Sequence, residues 1–252
     1  MPRTIDFNSY VPYYIQLIDI LKEKISSGEW RPGDQIPSEP ELCELYGVSR
    51  TVVRQALQQM EYDQLIQRKK GKGTFIAEPK INESLIQKLT GFYQDMRDRG
   101  HNITTNVLRN EIIPAPPKVA RYLNINPDDK VLCIERLRFV DDEPIVLVTT
   151  YLPDALCHEV VRFDLSKRSL YDILENELGF ELSHGRRTIE AVRANKREAL
   201  LLQVSENDPM ILLDSVTYLK NGTPIEYYHA IHRGDRSRFE VELYRVRPDQ
   251  LP

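Results

Sequence analysis

No stretch of this 252-residue chain comes near the roughly 18 to 20 consecutive apolar residues that a bilayer-crossing helix needs. Its start, MPRTIDFNSYVPYY, holds no apolar core of signal-peptide type, so a cytoplasmic protein without a membrane partner is expected. Cysteine is scarce. Cys43, Cys133 and Cys157 are odd in number and widely spaced, which argues against a disulfide framework and against a zinc knuckle. An excess of positive charge is missing too: the formal net charge is −4, so any nucleic-acid contact must come from a local patch. There is no nucleophile elbow and no phosphate-cradling loop before a helix. His229 and His232, three apart on a strand-like run, point to opposite faces and cannot chelate as a helical pair could. No metal, no cofactor and no catalytic residues are expected.

What is present is a chain 41% hydrophobic and 29% charged, long enough for one large domain or two ordinary ones. Near the start, Tyr14, Leu17, Ile18, Leu21 and Ile25 follow the i, i+3, i+4, i+7 spacing of an amphipathic helix, which Gly28 ends. Ser38, with Glu41 three residues on, makes a capping box and opens a second helix to about Tyr46. Gly47 supplies a turn, and Ser49 caps a third helix to about Asp63. Two short helices about a glycine-containing turn predict a helix-turn-helix. The second is the reading helix, so Arg50, Thr51 and Arg54 near its start stand where DNA would be. Two strands then follow, over 65–68 and 74–76. They flank a cationic tip whose glycines, Gly71 and Gly73, permit close backbone approach, and whose Lys69, Lys70 and Lys72 suit phosphates or a minor groove. Residues 50–76 set Arg50, Arg54, Arg68, Lys69, Lys70 and Lys72 against only Glu61 and Asp63, so positive charge is concentrated there. A lone amphipathic helix or a lysine-glycine hairpin is ordinary surface; in this order they point to a DNA-binding head.

Residues 13–77 resemble the winged helix-turn-helix of the GntR family of bacterial transcription regulators, through PGDQIPSE at 32–39, ELCELYGVSRTVVRQAL at 41–57 and GKGTFI at 71–76. The resemblance implies that Ser49, Arg50, Thr51 and Arg54, with Lys70, Gly71, Lys72 and Gly73 of the wing, form the DNA-binding surface. One departure stands out. Many members carry an arginine directly after the glutamate equivalent to Glu39, and here Pro40 takes its place, so one expected backbone contact is missing.

The expected domains are a head over 1–78, a linker or hinge over 79–88 and a second domain over 89–252. A helix carrying Leu85, Leu89, Phe92 and Met96 opens the latter, after which the period changes to that of strands. Strands are expected over 104–113, 131–140, 145–151, 183–193, 211–219, 225–231 and 239–246, with helices over 118–123, 165–179 and 196–202. RLRFVDDEPIVLVTTY at 136–151 and VTYLKNGTPIEYYHAI at 216–231 echo each other as strand, turn, Pro-Ile, strand. The fold class is therefore α+β: a winged helix-turn-helix followed by a mainly antiparallel sheet with helices on one face. The second domain resembles the UTRA effector-binding domain of the HutC subfamily, whose fold is like that of chorismate lyase. LTGF at 89–92, ERLRF at 135–139, TYLP at 150–153, SLYDILE at 169–175 and PIEYYHAIHRGDRSRFEVEL at 224–243 carry that resemblance.

Arg136 and Arg138 share a strand face and could clamp a carboxylate or phosphate. By spacing alone a solvated face with cross-strand ion pairs is the simpler reading. The resemblance reverses this: it implies that Arg136, Arg138, Ser169 and Tyr171, with the backbone of Thr90, Gly91 and Phe92, hold an anion. It makes Glu226 an acceptor for a ligand hydroxyl or amine; Tyr228 shares its face, and His232 is a weaker candidate. Amino-sugar-phosphate sensors tend to carry glutamate where this chain has Val148, so the expectation is a small anion, a sugar phosphate or a carboxylate, without commitment to an N-acetylated sugar. The protein is expected to be a homodimeric, ligand-responsive repressor of a palindromic DNA operator. A small-carboxylate enzyme with a DNA-binding head and a ligand-independent DNA binder are the alternatives.

Overall fold

The computed structural model describes residues 4–69, 71–78, 80–83, 92, 96–97 and 99–241. The chain divides into two compact units, Met1–Pro79 and Lys80–Pro252.

In the first unit, α1 (Tyr13–Ser26), α2 (Glu39–Tyr46) and α3 (Arg50–Tyr62) precede the hairpin β1 (Ile66–Lys69) and β2 (Gly73–Ile76). The apolar stripes meet in one core: Leu17 and Leu21 of α1, Leu42 of α2, Val53, Leu57 and Met60 of α3, with Ile66 and Ile76 of the hairpin beneath. The capping box closes as expected, the Ser38 N–H donating to Glu41 Oε2 at 2.7 Å. Pro40 falls in the first turn of α2, where a missing N–H removes no intrahelical bond. Ser49 Oγ accepts from the Val52 N–H at 3.4 Å and starts α3. At the hairpin tip Gly73 has φ +119°, which strains any side chain, and a Cβ there would also displace the Gln35 amide, 2.5 Å away.

The second unit begins with β3 (Ile81–Glu83), residues that the sequence reading gave to the linker. Long-range pairing decides otherwise: β3 lies parallel to β10 (Ser237–Phe239). The main sheet has six strands in the order β4-β5-β6-β9-β8-β7, antiparallel throughout. Its strands are β4 (Ile103–Pro114), β5 (Lys130–Val140), β6 (Glu143–Pro153), β7 (Leu182–Arg193), β8 (Pro209–Leu219) and β9 (Pro224–Arg233). α4 (Pro117–Leu123) follows β4, and α7 (Lys196–Leu202) follows β7. The echo in sequence is thus a repeat of strand, helix and hairpin. Both hairpins break register at the same place, next to Phe139↔Pro144 and next to Tyr218↔Pro224.

Helices cover both faces of the sheet, not one. α4 packs on β9 and α7 on β6. On that face Asp214 gathers Lys118 Nζ (3.0 Å), Tyr227 Oη (2.9 Å) and His229 Nδ1 (2.6 Å), tying α4 to the strands. Burial alone would raise the Asp214 pKa; the hydrogen bonds from His229, Lys118 and Tyr227 outweigh it and hold the pKa below the usual 3.8. The opposite face is covered by the segment after β6. This runs through α5 (Asp154–Cys157), a 3₁₀ turn (His158–Arg162), α6 (Leu170–Asp172) and a π-helical turn (Ile173–Glu177), so the helix expected within 165–179 forms as one contiguous run over 170–177 that changes from α to π pitch. β10 shares only Phe239 with the last strand expected over 239–246: Glu240 and Val241 are not in a strand, and residues 242–252 lie outside the described ones. The opening helix of this domain falls mostly outside them as well. Among the described residues no helix is long and apolar enough to cross a membrane.

Candidate nucleic-acid interface and effector site

α3 buries Val53, Ala56, Leu57 and Met60, which turns Arg50, Thr51 and Arg54 outward, all three exposed. Two acidic side chains attend the basic ones. Arg54 Nε lies 2.8 Å from Glu39 Oε2, and Arg68 reaches Glu61 at 3.1 Å and Glu39 at 3.8 Å. The hydrogen bond from Arg54 to Glu39 raises the pKa of the guanidinium further. Arg50 forms no ion pair among the described residues, and its charge is uncompensated. In the wing, Gly71 (φ +72°) and Gly73 make the turn, Lys72 is exposed, and Lys69 Nζ sits 5.0 Å over the Phe75 ring. Lys70 lies outside the described residues. The Glu39–Arg54–Arg68–Glu61 chain of contacts went unread in the sequence, because it joins α2, α3 and β1 through tertiary packing alone.

In the second unit the polar residues converge on one sheet face. Antiparallel register sets Arg136 beside Val148 and then Ala230, and Arg138 beside Val146 and then His232. Arg136 is 2% exposed and Arg138 6%, so the solvated face that spacing alone favoured is not what forms. Arg136 Nη2 donates to Thr150 Oγ1 at 3.4 Å, but Arg136 Nε and Nη1 and Arg138 Nε find no hydrogen-bond partner among the described residues. The Arg138 guanidinium lies 5.6 Å over the buried Phe92 ring. Burial, and then the adjacent charge of Arg136, bring Arg138 down to about 9; burial also lowers Arg136, against the pull of Glu226.

Glu226, 1% exposed, stands on the same face. Its Oε2 accepts from Tyr171 Oη at 2.7 Å and Thr217 Oγ1 at 2.9 Å, and the two hydroxyls are 3.0 Å apart. Burial, then the Glu226 charge, pushes the Tyr171 phenol well above its usual range, so it stays a donor. Tyr228 follows two residues on, beneath the Arg187 guanidinium (5.8 Å), whose Nη2 donates to Ser215 Oγ at 3.3 Å. His232 is fully buried between Phe92 and Phe239, at 6.4 and 5.2 Å. Ser169 is half-buried ahead of α6, and its side chain makes no hydrogen bond among the described residues. Thr90 and Gly91 lie outside those residues.

The structure thus brings Arg136, Arg138, Phe92, Tyr171, Glu226 and Tyr228 onto one buried surface. It adds Thr150, Ser215, Thr217 and Arg187, which sequence reasoning missed. Ser215 and Thr217 carry a signal, two polar residues at every second place in a largely apolar strand; Thr150 beside Thr149 and Arg187 beside Arg186 carry none. This face is flanked by two apolar clusters. One is built on Leu132, Ile134 and Leu152 with the 154–177 segment, the other on Val146, Val148, Phe92 and Met96.

Residues 98–238 match the UTRA domain, and residues 13–76 match the bacterial regulatory proteins of the gntR family. The chain is 33% identical over 242 residues to the HTH-type transcriptional repressor NagR of Bacillus subtilis, covering 96% of this chain and 99% of that one. It is 31% identical to the mannosyl-D-glycerate transport/metabolism system repressor MngR of Escherichia coli, over 93% and 97% of the two chains. The crystal structure of PhnF from Mycobacterium smegmatis superposes with a TM-score of 0.64 at 27% identity, over 92% of this chain and 98% of that one. An outward-facing reading helix, a wing and two matches in the right order place the chain in the gntR family of bacterial regulatory proteins, in its HutC-like, UTRA-bearing branch, as a DNA-binding regulator of transcription.

Proposed function

We propose that the protein is a metabolite-responsive repressor that binds a palindromic operator as a dimer and takes a small hydroxylated or aminated anion on the buried polar face of its sheet. The observation that carries this reading is the pair of buried guanidinium groups with unmet N–H donors. A buried charge without partners is costly, on the order of 1–3 kcal/mol for each unsatisfied donor. A phosphate or carboxylate offers these donors oxygen acceptors in bidentate geometry. Glu226, with Oε2 already taken by two hydroxyls, directs Oε1 to a ligand hydroxyl or amine. The Escherichia coli relative is named for a solute that combines a carboxylate with sugar hydroxyls, and that combination suits such a pocket.

On the DNA, Arg50 and Arg54 contact base edges or adjacent phosphates, Thr51 a phosphate, and the tip from Lys70 to Gly73 the minor groove. Two heads read half-sites about one helical turn apart. The effector changes operator affinity only by the ratio of its own affinities for the two arrangements of the dimer.

The test is a thermal-shift panel of sugar phosphates and small carboxylates, joined to operator titrations. An effector at 100 times its Kd should stabilise the protein by about 2.7 kcal/mol and alter operator affinity. Both responses should vanish in Arg136→Gln/Arg138→Gln. A thermal shift that survives the double change places the ligand elsewhere, and a panel without a hit argues for the ligand-independent alternative.

A further inference from the structure

A third guanidinium group faces the proposed effector surface, at the end opposite Arg136 and Arg138. Register runs straight across the sheet from Ile134 of β5 through Thr150 of β6, Tyr228 of β9 and Ser215 of β8 to Arg187 of β7. Arg187 is therefore on the face of Arg136 and Arg138, four strand spacings away, roughly 19 Å between backbones. Both ends reach inward. Arg187 Nη2 donates to Ser215 Oγ at 3.3 Å, and the guanidinium extends past β8 to lie 5.8 Å over the Tyr228 ring on β9. From the other side Arg136 donates to Thr150 of β6. Thr150 and Tyr228 are direct cross-strand partners, so the span left between the two guanidinium groups is on the order of 5–10 Å, one to two strand spacings. The Tyr171 phenol stands within electrostatic reach of both, Arg136 on one side and Arg187 on the other.

We propose that the effector carries two acidic groups, the first held by Arg136 and Arg138 and the second, a carboxylate, by Arg187, with hydroxyls of the stretch between them reaching Glu226. Among the described side chains gathered on this surface three are guanidinium groups and one, Glu226, is a carboxylate; Val148, beside Arg136, adds no second one. A guest with two negative charges balances that sum, and a cation at each end calls for an anion at each end. Arginine has five N–H donors in a planar fork, so a bond to Ser215 is compatible with a carboxylate on the same group. The span admits a chain of a few carbons between the two acids.

The inference rests on the effector reading above, and the experiment separates the two. Two matched pairs are titrated calorimetrically into the full chain: 3-phosphoglycerate with glycerol 3-phosphate, and 6-phosphogluconate with glucitol 6-phosphate. Within each pair a terminal carboxylate replaces a hydroxymethyl group. In wild type at least one diacid should bind roughly tenfold or more tightly than its mate, since hydrogen bonds to a charged group are the strong ones. Arg187→Gln should erase that preference, weakening the diacid by the same factor and its mate much less, and Arg187→Lys should keep part of it. A wild type without the preference overturns the second acidic group and leaves the effector reading standing. So does Arg187→Gln weakening both members alike, as the loss of a strut between β7 and β8 would. Binding that survives Arg136→Gln/Arg138→Gln overturns both. If none of the four compounds binds, this inference falls, while the wider panel of sugar phosphates and carboxylates decides the effector reading.

Discussion

Replacing Arg138 by methionine should make the ligand-free protein more stable. The guanidinium is buried, its Nε is unmet, and a like charge stands two residues away on the same face. Burial and Arg136 bring it to about 9. Set against a free guanidinium, that shift is on the order of 5 kcal/mol against the charged form. The cation–π contact with Phe92 returns about 1–2 kcal/mol. Methionine keeps the length and adaptability of the side chain, so the cavity cost of a truncation does not arise. Allowing for relaxation around the buried charge, the expected gain is roughly 1–3 kcal/mol, in line with replacement of other buried ionic groups by apolar ones. For a domain of this size that raises the melting temperature by about 2–12 °C. Calorimetry in a buffer free of phosphate and carboxylates reads it, and the same variant should lose its thermal response to any effector. A variant less stable than wild type would mean that the guanidinium is already satisfied without a ligand, and the case for an anion site would fall with it.

Arg50→Ala should cost roughly 1–3 kcal/mol of discrimination between operator and unrelated DNA, measured by competition titration; unchanged preference would remove Arg50 from base reading. Glu39→Gln releases Arg54 and leaves Arg68 paired with Glu61 alone, so non-specific affinity should rise several-fold and log affinity should fall more steeply with log salt. An unaltered slope would show that DNA already displaces Glu39. Because Asp214 titrates below 3.8 in the folded state, its contribution is present above about pH 4 and lost as pH falls through the folded value. Asp214→Asn should therefore lower stability at pH 7 and narrow the gap to wild type at pH 2, as urea unfolding at both pH values would show.

Local order was legible where chemistry acts within a few residues. The Ser38–Glu41 box, the Ser49 cap and the stripe from Val53 to Met60 are short-range devices, and each formed where expected. The hairpins at 136–151 and 216–231 announced themselves by repetition. The unread parts depend on distant partners. β3 exists only because β10, about 150 residues later, lies beside it. The turns at 170–177 keep helical spacing while packing on the sheet changes their pitch. Arg136 and Arg138 look like surface residues in sequence. Their burial follows from tertiary cover over a face that strand periodicity treats as open, with Tyr171 of the 154–177 segment near Arg136 and the Phe92 ring beneath Arg138. The family resemblance marked these residues, but it could not show their unmet donors.

The repeat within the sheet has a further consequence. Its two halves share a strand plan but not their charges, which fall on non-equivalent strands. β5 of the first half carries the guanidinium groups, and β9 of the second carries the carboxylate. A duplicated cradle with matching groups in both copies would take a guest end for end. As the proposed site, this one has a head and a tail: a molecule acidic at one end and hydroxylated at the other would lie in it only one way round.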